Sequence, residues 1–351
     1  MYDIAVIGLG PAGATIARLL DKKFRVIAID KKSTANDSVF QKPCGGLLAM
    51  DAQKALSRFN LTLPKEALAH PQLFAVKTFD TKQKLLRYYQ RFYINLDRHR
   101  FDMWLISLIP EHVHVEDHAT CTAIRRQADG YEISYVKNHE QKTVTARTLI
   151  GADGSGSLVR RALFPDRKIR RYLSIQQWFP NQHATPFYSC IFDSDITDSY
   201  CWGVPKDGFF VLGGAFPPKT AKQSFSLLQQ KLAQQGFVFG APVKTEACLV
   251  SMPRGLRDFC AGGDDVFLLG EAAGFISPSS LEGISYALNS AYDLAGILNS
   301  GCGNPIWKYR VRSLPVRLKL LLKHCKSPFM YNPLLRKLVM TSGLRSISVR
   351  E

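Results

Sequence analysis

Asp3-Ile4-Ala5-Val6-Ile7-Gly8-Leu9-Gly10-Pro11-Ala12-Gly13 is the stretch that decides the fold. A short run with four apolar residues enters a Gly-x-Gly-x-x-Gly spacing, and a helical pattern follows through Leu20. Strand, glycine turn and helix in that order open a Rossmann-type βαβ unit. The glycines do different work: Gly8 allows the tight turn, Gly10 lets the backbone approach a pyrophosphate, and Gly13 lets helix and strand pack closely. Pro11 and Ala12 begin the helix, whose free N–H groups and positive dipole end suit an anion. Phe24 to Ile29 reads as the second strand. Asp30 ends it, 22 residues beyond Gly8, where a carboxylate can accept from the ribose hydroxyls of an adenosine, with Lys31 beside it.

Two later segments favour FAD over NAD. Thr148-Leu149-Ile150-Gly151-Ala152-Asp153-Gly154-Ser155 reads as a strand ending in an acidic turn, with a helical stretch from Ser157 to Leu163. Val266 to Phe275 reads as another buried strand followed by Gly270-Glu271-Ala272-Ala273-Gly274. Glu282-Gly283-Ile284 then opens a helix to about Leu298. A simple dehydrogenase needs neither segment. No second Gly-x-Gly-x-x-Gly occurs, so the chain lacks a dedicated pyridine-nucleotide domain. The electron donor stays open between NADPH, NADH and a ferredoxin.

Together with Arg98 in Asp97-Arg98-His99-Arg100-Phe101-Asp102, these motifs resemble flavoproteins of the p-hydroxybenzoate hydroxylase fold. Within that superfamily the chain resembles the geranylgeranyl reductase-like branch, and in it the CbrA-type, or colicin M resistance, flavoproteins. Lys42-Pro43-Cys44-Gly45-Gly46-Leu47-Leu48, Phe187 to Asp193 and Gly270 to Ile276 carry that likeness. The resemblance implies that Gly8, Gly10, Gly13 and Asp30 hold the ADP half of FAD, and that Arg98 and Asp153 line the pyrophosphate side. It further implies that the residue after Gly270 meets the ribityl chain. Asp is usual there and this chain has Glu271, whose extra methylene shifts the expected hydrogen bond. Gly283 and Ile284 are expected to aim helix N–H groups at the flavin N1 and C2 carbonyl, which favours reduced flavin.

The implied fold class is α/β: a Rossmann-type FAD-binding domain (1–73, 94–168 and 261–303), an interleaved antiparallel-sheet substrate domain (74–93 and 169–260), and basic C-terminal helices (304–351). Alternating stretches at Ile169–Phe179, Thr185–Asp193, Ser199–Val204 and Phe209–Phe216 supply the sheet, with a helix over Ser224–Gln235. Phe74 to Tyr93 adds strands.

Cys44, in a loop built for close backbone approach together with Gly45 and Gly46, has two readings. One is a small apolar filler; the other is a proton donor or packing element at the flavin, matching a cysteine at this position in geranylgeranyl reductases. Tyr200-Cys201-Trp202-Gly203-Val204-Pro205 resembles a Tyr-x-Trp-x-x-Pro cavity motif of the same family. It departs from the pattern at Thr197 and Val204, where Pro and Phe are usual. Tyr200 and Trp202 fall on one strand face whichever reading holds. Three functions compete: reduction of carbon–carbon double bonds in an isoprenoid or similar lipid, aromatic monooxygenation, and a flavin-bearing redox sensor or binding protein. Cys44 and the Tyr-x-Trp-x-x-Pro segment favour the first.

Bulk properties set the surroundings. At 351 residues and 46% hydrophobic content the chain is ordinary for a globular enzyme, and no apolar stretch reaches the length of a membrane span. The N-terminus shows no leader pattern, and the cysteines are scattered singly, without metal-ligand spacing. These features suggest a monomeric cytoplasmic protein with reduced thiols and no bound metal. The net charge is +17. From Ile306 to Glu351 there are eleven Lys or Arg and one acid. Two basic amphipathic helices are expected there. One begins near Pro315, with apolar Leu314, Leu318, Leu321, Leu322 and Cys325 opposed by Lys319, Lys323 and Lys326. The other has Asn332 as cap, Pro333 at its first position and its end near Gly343. The tail lacks a nucleic-acid reader motif. Peripheral attachment to the anionic inner face of a membrane through 306–351 is the alternative to plain packing of both apolar faces on the core.

Overall fold

The computed structural model describes residues 1–35, 40–180, 187–301 and 303–349. Cys302, Arg350, Glu351 and the start of the strand read from Thr185 lie outside them. Strand β1 (Tyr2–Ile7), helix α1 (Pro11–Leu19) and β2 (Val26–Ile29) form the opening βαβ unit, with β1 and β2 parallel. The chain then crosses to a second sheet for β3 (Leu47–Leu48), helix α2 (Met50–Arg58) and the hairpin β4 (Leu73–Asp80) and β5 (Leu85–Asn95). It returns through α3 (Arg98–Ser107), β6 (Val113–Glu116), the meander β7 (Ala119–Gln127), β8 (Gly130–Lys137) and β9 (Glu140–Gly151), and α4 (Leu158–Leu163).

A second excursion supplies β10 (Arg171–Pro180), β11 (Tyr188–Phe192), β12 (Cys201–Lys206), β13 (Phe209–Phe216), α5 (Ala221–Ala233) and β14 (Lys244–Ser251). The last segment holds β15 (Gly262–Gly263), β16 (Val266–Leu268) and α6 (Ile284–Asn299). Four helices close it: α7 (Pro305–Arg312), α8 (Leu314–Lys326), α9 (Pro328–Tyr331) and α10 (Pro333–Ser342).

The first sheet runs β15-β16-β9-β1-β2-β6 and is parallel from β16 to β6. Its strands are covered on both faces, which is why Ile4 to Ile7 and Val26 to Ile29 are nearly unbroken apolar runs, each residue at most 3% exposed. Strand β9 is shared: Ala146 to Gly151 pair with β1, while Glu140 to Ala146 pair with β8.

The second sheet runs β14-β10-β13-β12-β11-β4-β5-β3. It is antiparallel except between β4 and β11, because the β4–β5 hairpin arrives from a separate stretch of chain. Leu47 and Leu48 pair with β5 and so belong to this sheet. One sheet face packs Phe210, Leu212 and Phe216 against Phe225, Leu228 and Leu232 of α5. That helix starts three residues before the expected Ser224. The other face turns toward the glycine motifs.

The C-terminal helices form where the capping residues place them. Asn332 accepts from Leu334 N and Leu335 N at 2.9 and 3.2 Å, and Gly343 ends α10 at φ +64°. Their orientation differs from the amphipathic reading. In α8 the buried residue is Leu320, while Leu314, Leu318 and Leu322 are 43–64% exposed. Lys319 instead pairs with Asp51 at 3.0 Å, and Lys323 lies over the Tyr286 ring. In α10 the buried residues are Met340 and Arg336, whose Nε lies 2.6 Å from Asp80 Oδ2, while Leu334 and Leu338 are 74% and 67% exposed. Among the described residues no helix is long and apolar enough to cross a membrane.

Candidate FAD and substrate site

The glycine turn is shaped by two different constraints. Gly8 has φ +92°, and a Cβ there would sit 2.8 Å from Ala152 O. A Cβ on Gly13 would meet Gly8 O at 1.7 Å, so helix and strand touch through bare backbone. Gly10 is different. Its φ of −71° suits any residue and nothing lies within 4 Å of a Cβ built on it. Neither conformation nor packing requires glycine there. The open side faces the start of α1, where the N–H groups of Gly10, Ala12 and Gly13 take no acceptor among the described residues. Three free donors at a helix N-terminus, beside a glycine that keeps its side clear, form a cradle that fits the FAD pyrophosphate.

Asp30 is buried, and both its oxygens are engaged: Oδ2 accepts from Leu9 N, and Oδ1 accepts from Lys32 N at 2.7 Å. It therefore braces the turn, and each oxygen keeps a spare lone pair. Lys31 is exposed, its Nζ 3.4 Å from the Phe40 ring centroid. A charge network unnoticed in the sequence lies behind. Lys32 Nζ sits 3.5 Å from Asp30 and 3.6 Å from Asp102, and Arg98 Nε donates to Asp102 Oδ1 at 2.8 Å. Burial lowers the Arg98 pKa, but Asp102 and the Cys44 thiol outweigh it and hold the guanidinium above its ordinary value. The only prior signal for Lys32 and Asp102 was their proximity to the motifs; their mutual pairing is a long-range contact.

The second and third motifs converge on the first. The Gly8 turn packs on Asp153, whose Oδ2 accepts from Leu158 N at 2.6 Å and caps α4; its Oδ1 is buried without a partner. Burial pushes the Asp153 carboxyl upward, opposed by Ser157 and these N–H groups. Gly270, at φ +50°, lies 3.5 Å from Ala12 Cβ as measured from a Cβ built on it. Arg160 ties the set together, donating to Ala272 O at 3.1 Å and Asp258 O at 2.7 Å. Glu271 uses its extra methylene to reach across to the second sheet, where Oε1 accepts from Ser251 N at 2.7 Å. That is the physical outcome of Glu where Asp is usual: the carboxylate bridges the two sheets.

At the start of α6, Glu282 accepts from Ser285 N and Ser285 Oγ, both at 2.8 Å, and burial raises its pKa. The N–H groups of Gly283 and Ile284 take no acceptor among the described residues. They are two further free donors at a helix N-terminus, a setting that fits an electron-rich group.

The Cys44 loop lies where the two sheets meet. Gly46 N donates to Cys44 Sγ at 3.4 Å, and Gly46 itself, at φ +64°, leaves room for Lys206 Nζ. Lys206 is buried and donates to Asn95 Oδ1 at 2.7 Å and Leu96 O at 2.6 Å; burial lowers its pKa to about 8 against the pull of Cys44, Asp97 and Asp207. On the other side, burial depresses Lys42, but Cys248 and Glu271 more than restore it, leaving it raised. A cavity of about 60 Å³ opens here, with Lys42, Cys44, Arg98, Gln176 and Lys206 in its wall. Cys44 is thus ringed by cations, a feature that no local sequence pattern shows.

Beyond the loop, the inner face of the second sheet is aromatic. Tyr200 and Trp202 share it, as strand alternation requires, with ring centroids 5.7 Å apart. Tyr188 and Phe192 join them. Trp202 Nε1 is buried without a partner, and a Cβ on Gly45 would lie 3.9 Å from it. Tyr200 Oη donates to Ser280 O at 2.8 Å, and Tyr331 of α9 donates to Ser279 O at 2.9 Å, so the C-terminal segment closes over this face. A larger groove of about 590 Å³ runs along α6 and α7 and contains none of the motif residues.

A parallel sheet carrying the glycine cradle, a mostly antiparallel sheet facing it and C-terminal helices are the fold of FAD-dependent oxidoreductases of the p-hydroxybenzoate hydroxylase type. A geranylgeranyl bacteriochlorophyll reductase-like protein from Thermoplasma acidophilum matches with a TM-score of 0.76 at 18% identity, covering 96% of this chain and 90% of its own. PqsL, a probable FAD-dependent monooxygenase from Pseudomonas aeruginosa, matches at 0.69 and 18% identity, covering 97% and 99%. No protein-family model matches the chain. At the level of sequence, protein CbrA of Escherichia coli O6:H1 is 49% identical over 346 residues, 99% of this chain and 94% of that one. The chain belongs to the CbrA family.

Proposed function

We propose that this protein is an FAD-dependent oxidoreductase that saturates a carbon–carbon double bond in an isoprenoid or related lipid-like substrate. The observation that carries the reading is the aromatic face of Tyr188, Phe192, Tyr200 and Trp202 beside the Cys44 loop. The Tyr200 hydroxyl is bonded to a backbone carbonyl, so Tyr200 presents mainly ring surface, which suits a hydrocarbon chain. FAD, once bound and reduced by its electron donor, would supply the hydride. Gly10, Ala12 and Gly13 hold the pyrophosphate, with Asp30 at the ribose and Asp153 beside the turn. Arg98 fixes the Cys44 loop, and Gly283 and Ile284 receive the pyrimidine edge. Tyr200 and Trp202 orient the substrate, and Cys44 Sγ holds the proton that completes the reduction.

Aromatic monooxygenation is the second reading, favoured by the fold shared with PqsL. Anaerobic reduction of the flavin by NADPH, NADH or ferredoxin, followed by mass spectrometry of the product, separates the two. A product heavier by two hydrogens, formed without oxygen, is expected. Oxygen uptake coupled stoichiometrically to substrate consumption would sink the reductase reading.

A further inference from the structure

We propose that the outward leucine face of α8 and α10, rather than the lysine edge of α8, docks this protein onto an anionic lipid bilayer. At 100° per residue, Leu314, Leu318, Leu322 and Cys325 of α8 fall within an 80° arc, and all four are exposed. Leu334 and Leu338 form the matching stripe on α10, and Phe329 and Leu344 expose 52% and 67% of their surface on the flanking segments. Isolated exposed leucines are ordinary, but a run of them on consecutive helices marks a contact surface.

The inversion is held in place from inside. Arg336 is locked to Asp80 and donates to Met330 O at 2.7 Å, which forces Leu334 and Leu338 outward. On α8 the half-exposed Lys319–Asp51 pair and the Lys323–Tyr286 contact join the helix to α2 and α6.

Charge selects the occupant. Residues 303–349 contain ten Lys or Arg and no acid. Lys308, Lys326, Lys337 and Arg345 pair with no carboxylate among the described residues, and Lys326, Lys337 and Arg345 are exposed next to the leucines. A second copy would bring the same positive surface and be repelled. An apolar stripe fringed by unpaired bases matches acyl chains below a layer of phosphates. The surface also adjoins the aromatic face: Met330 and Tyr331 of α9, between the two leucine stripes, pack against it. The docking does not depend on the flavin chemistry, so either reading can fail without the other.

The test is co-sedimentation of the FAD-loaded protein with phosphatidylcholine vesicles, with and without phosphatidylglycerol. The parent should bind the phosphatidylglycerol vesicles at low salt and release as salt rises. The variant Leu318→Gln/Leu322→Gln/Leu334→Gln/Leu338→Gln keeps helix formers at exposed sites, so it should retain its flavin while its vesicle partition falls at least about tenfold. Lys326→Gln/Lys337→Gln/Arg345→Gln should remove the salt-sensitive part of binding. The proposal is overturned by a parent that stays in the supernatant at low salt, by a leucine variant that binds as the parent does, or by a vesicle-free dimer that the leucine variant abolishes.

Discussion

Gly10→Asp separates the needs of the ligand from those of the fold. Gly10 is the N-cap of α1, at φ −71°, with no atom within 4 Å of a Cβ placed on it. The apoprotein should accept the side chain without strain, and Asp is a favoured N-cap, so the apo melting temperature should hold or rise. The ligand fares differently. A carboxylate about 4 Å from a phosphate costs on the order of 4 kcal/mol at an effective dielectric near 20, which is roughly a thousandfold in Kd. Gly13→Ala is the control, because its Cβ would meet Gly8 O at 1.7 Å and damage the fold directly. Titration of each apoprotein with FAD, followed by flavin fluorescence, alongside an apo thermal melt, gives both quantities. A Gly10→Asp protein that binds FAD like the parent, or whose apo form melts as low as Gly13→Ala, would refute the cradle.

Two further outcomes follow from the Cys44 loop. Cys44→Ser should keep FAD and lose roughly a hundredfold or more in turnover with the true substrate, since serine preserves size and removes the ionisable thiol; unchanged turnover assigns Cys44 to packing. Lys206, with its folded pKa lowered to about 8 from 10.5, binds fewer protons folded than unfolded between those values. Apoprotein stability should therefore rise as pH climbs from 8 to 10.5, by on the order of 3 kcal/mol. Lys206→Met should flatten that rise in a denaturant titration series, and a slope equal to the parent's would contradict the assignment.

The βαβ unit was legible because its signals are local: glycines at fixed spacing, a change of period, an acid at the strand end. The caps of α10 were legible for the same reason, with Asn332, Pro333 and Gly343 all within one short segment. Which way α8 and α10 face was not. A leucine stripe on a basic helix ordinarily turns to the core, and here it is outbid by Asp80, which lies 256 residues from Arg336, and by Asp51, which lies 268 residues from Lys319. Likewise α3 shows no apolar stripe in the sequence, because it turns a charged residue, Asp102, inward to meet Arg98 and Lys32. Strand β14 gives little apolar alternation to read, because it is an edge strand with exposed polar positions. The ring of cations at Cys44 comes from three separate stretches of chain, and only the fold assembles it.

Strand β9 sets a timetable for synthesis. The strand that receives the first cofactor turn, β1, pairs with β2 at once, but its other neighbour is β9, whose inner half ends at Gly151, and β9 in turn waits for β16 at Leu268. Gly151 leaves the ribosome 122 residues after Ile29. At roughly 5–20 residues per second, the nascent βαβ unit carries an open parallel edge for roughly 6–24 seconds. Its open edge is apolar, Ile4 to Ile7, which makes that interval the part of this protein's life in which a holdase chaperone matters most.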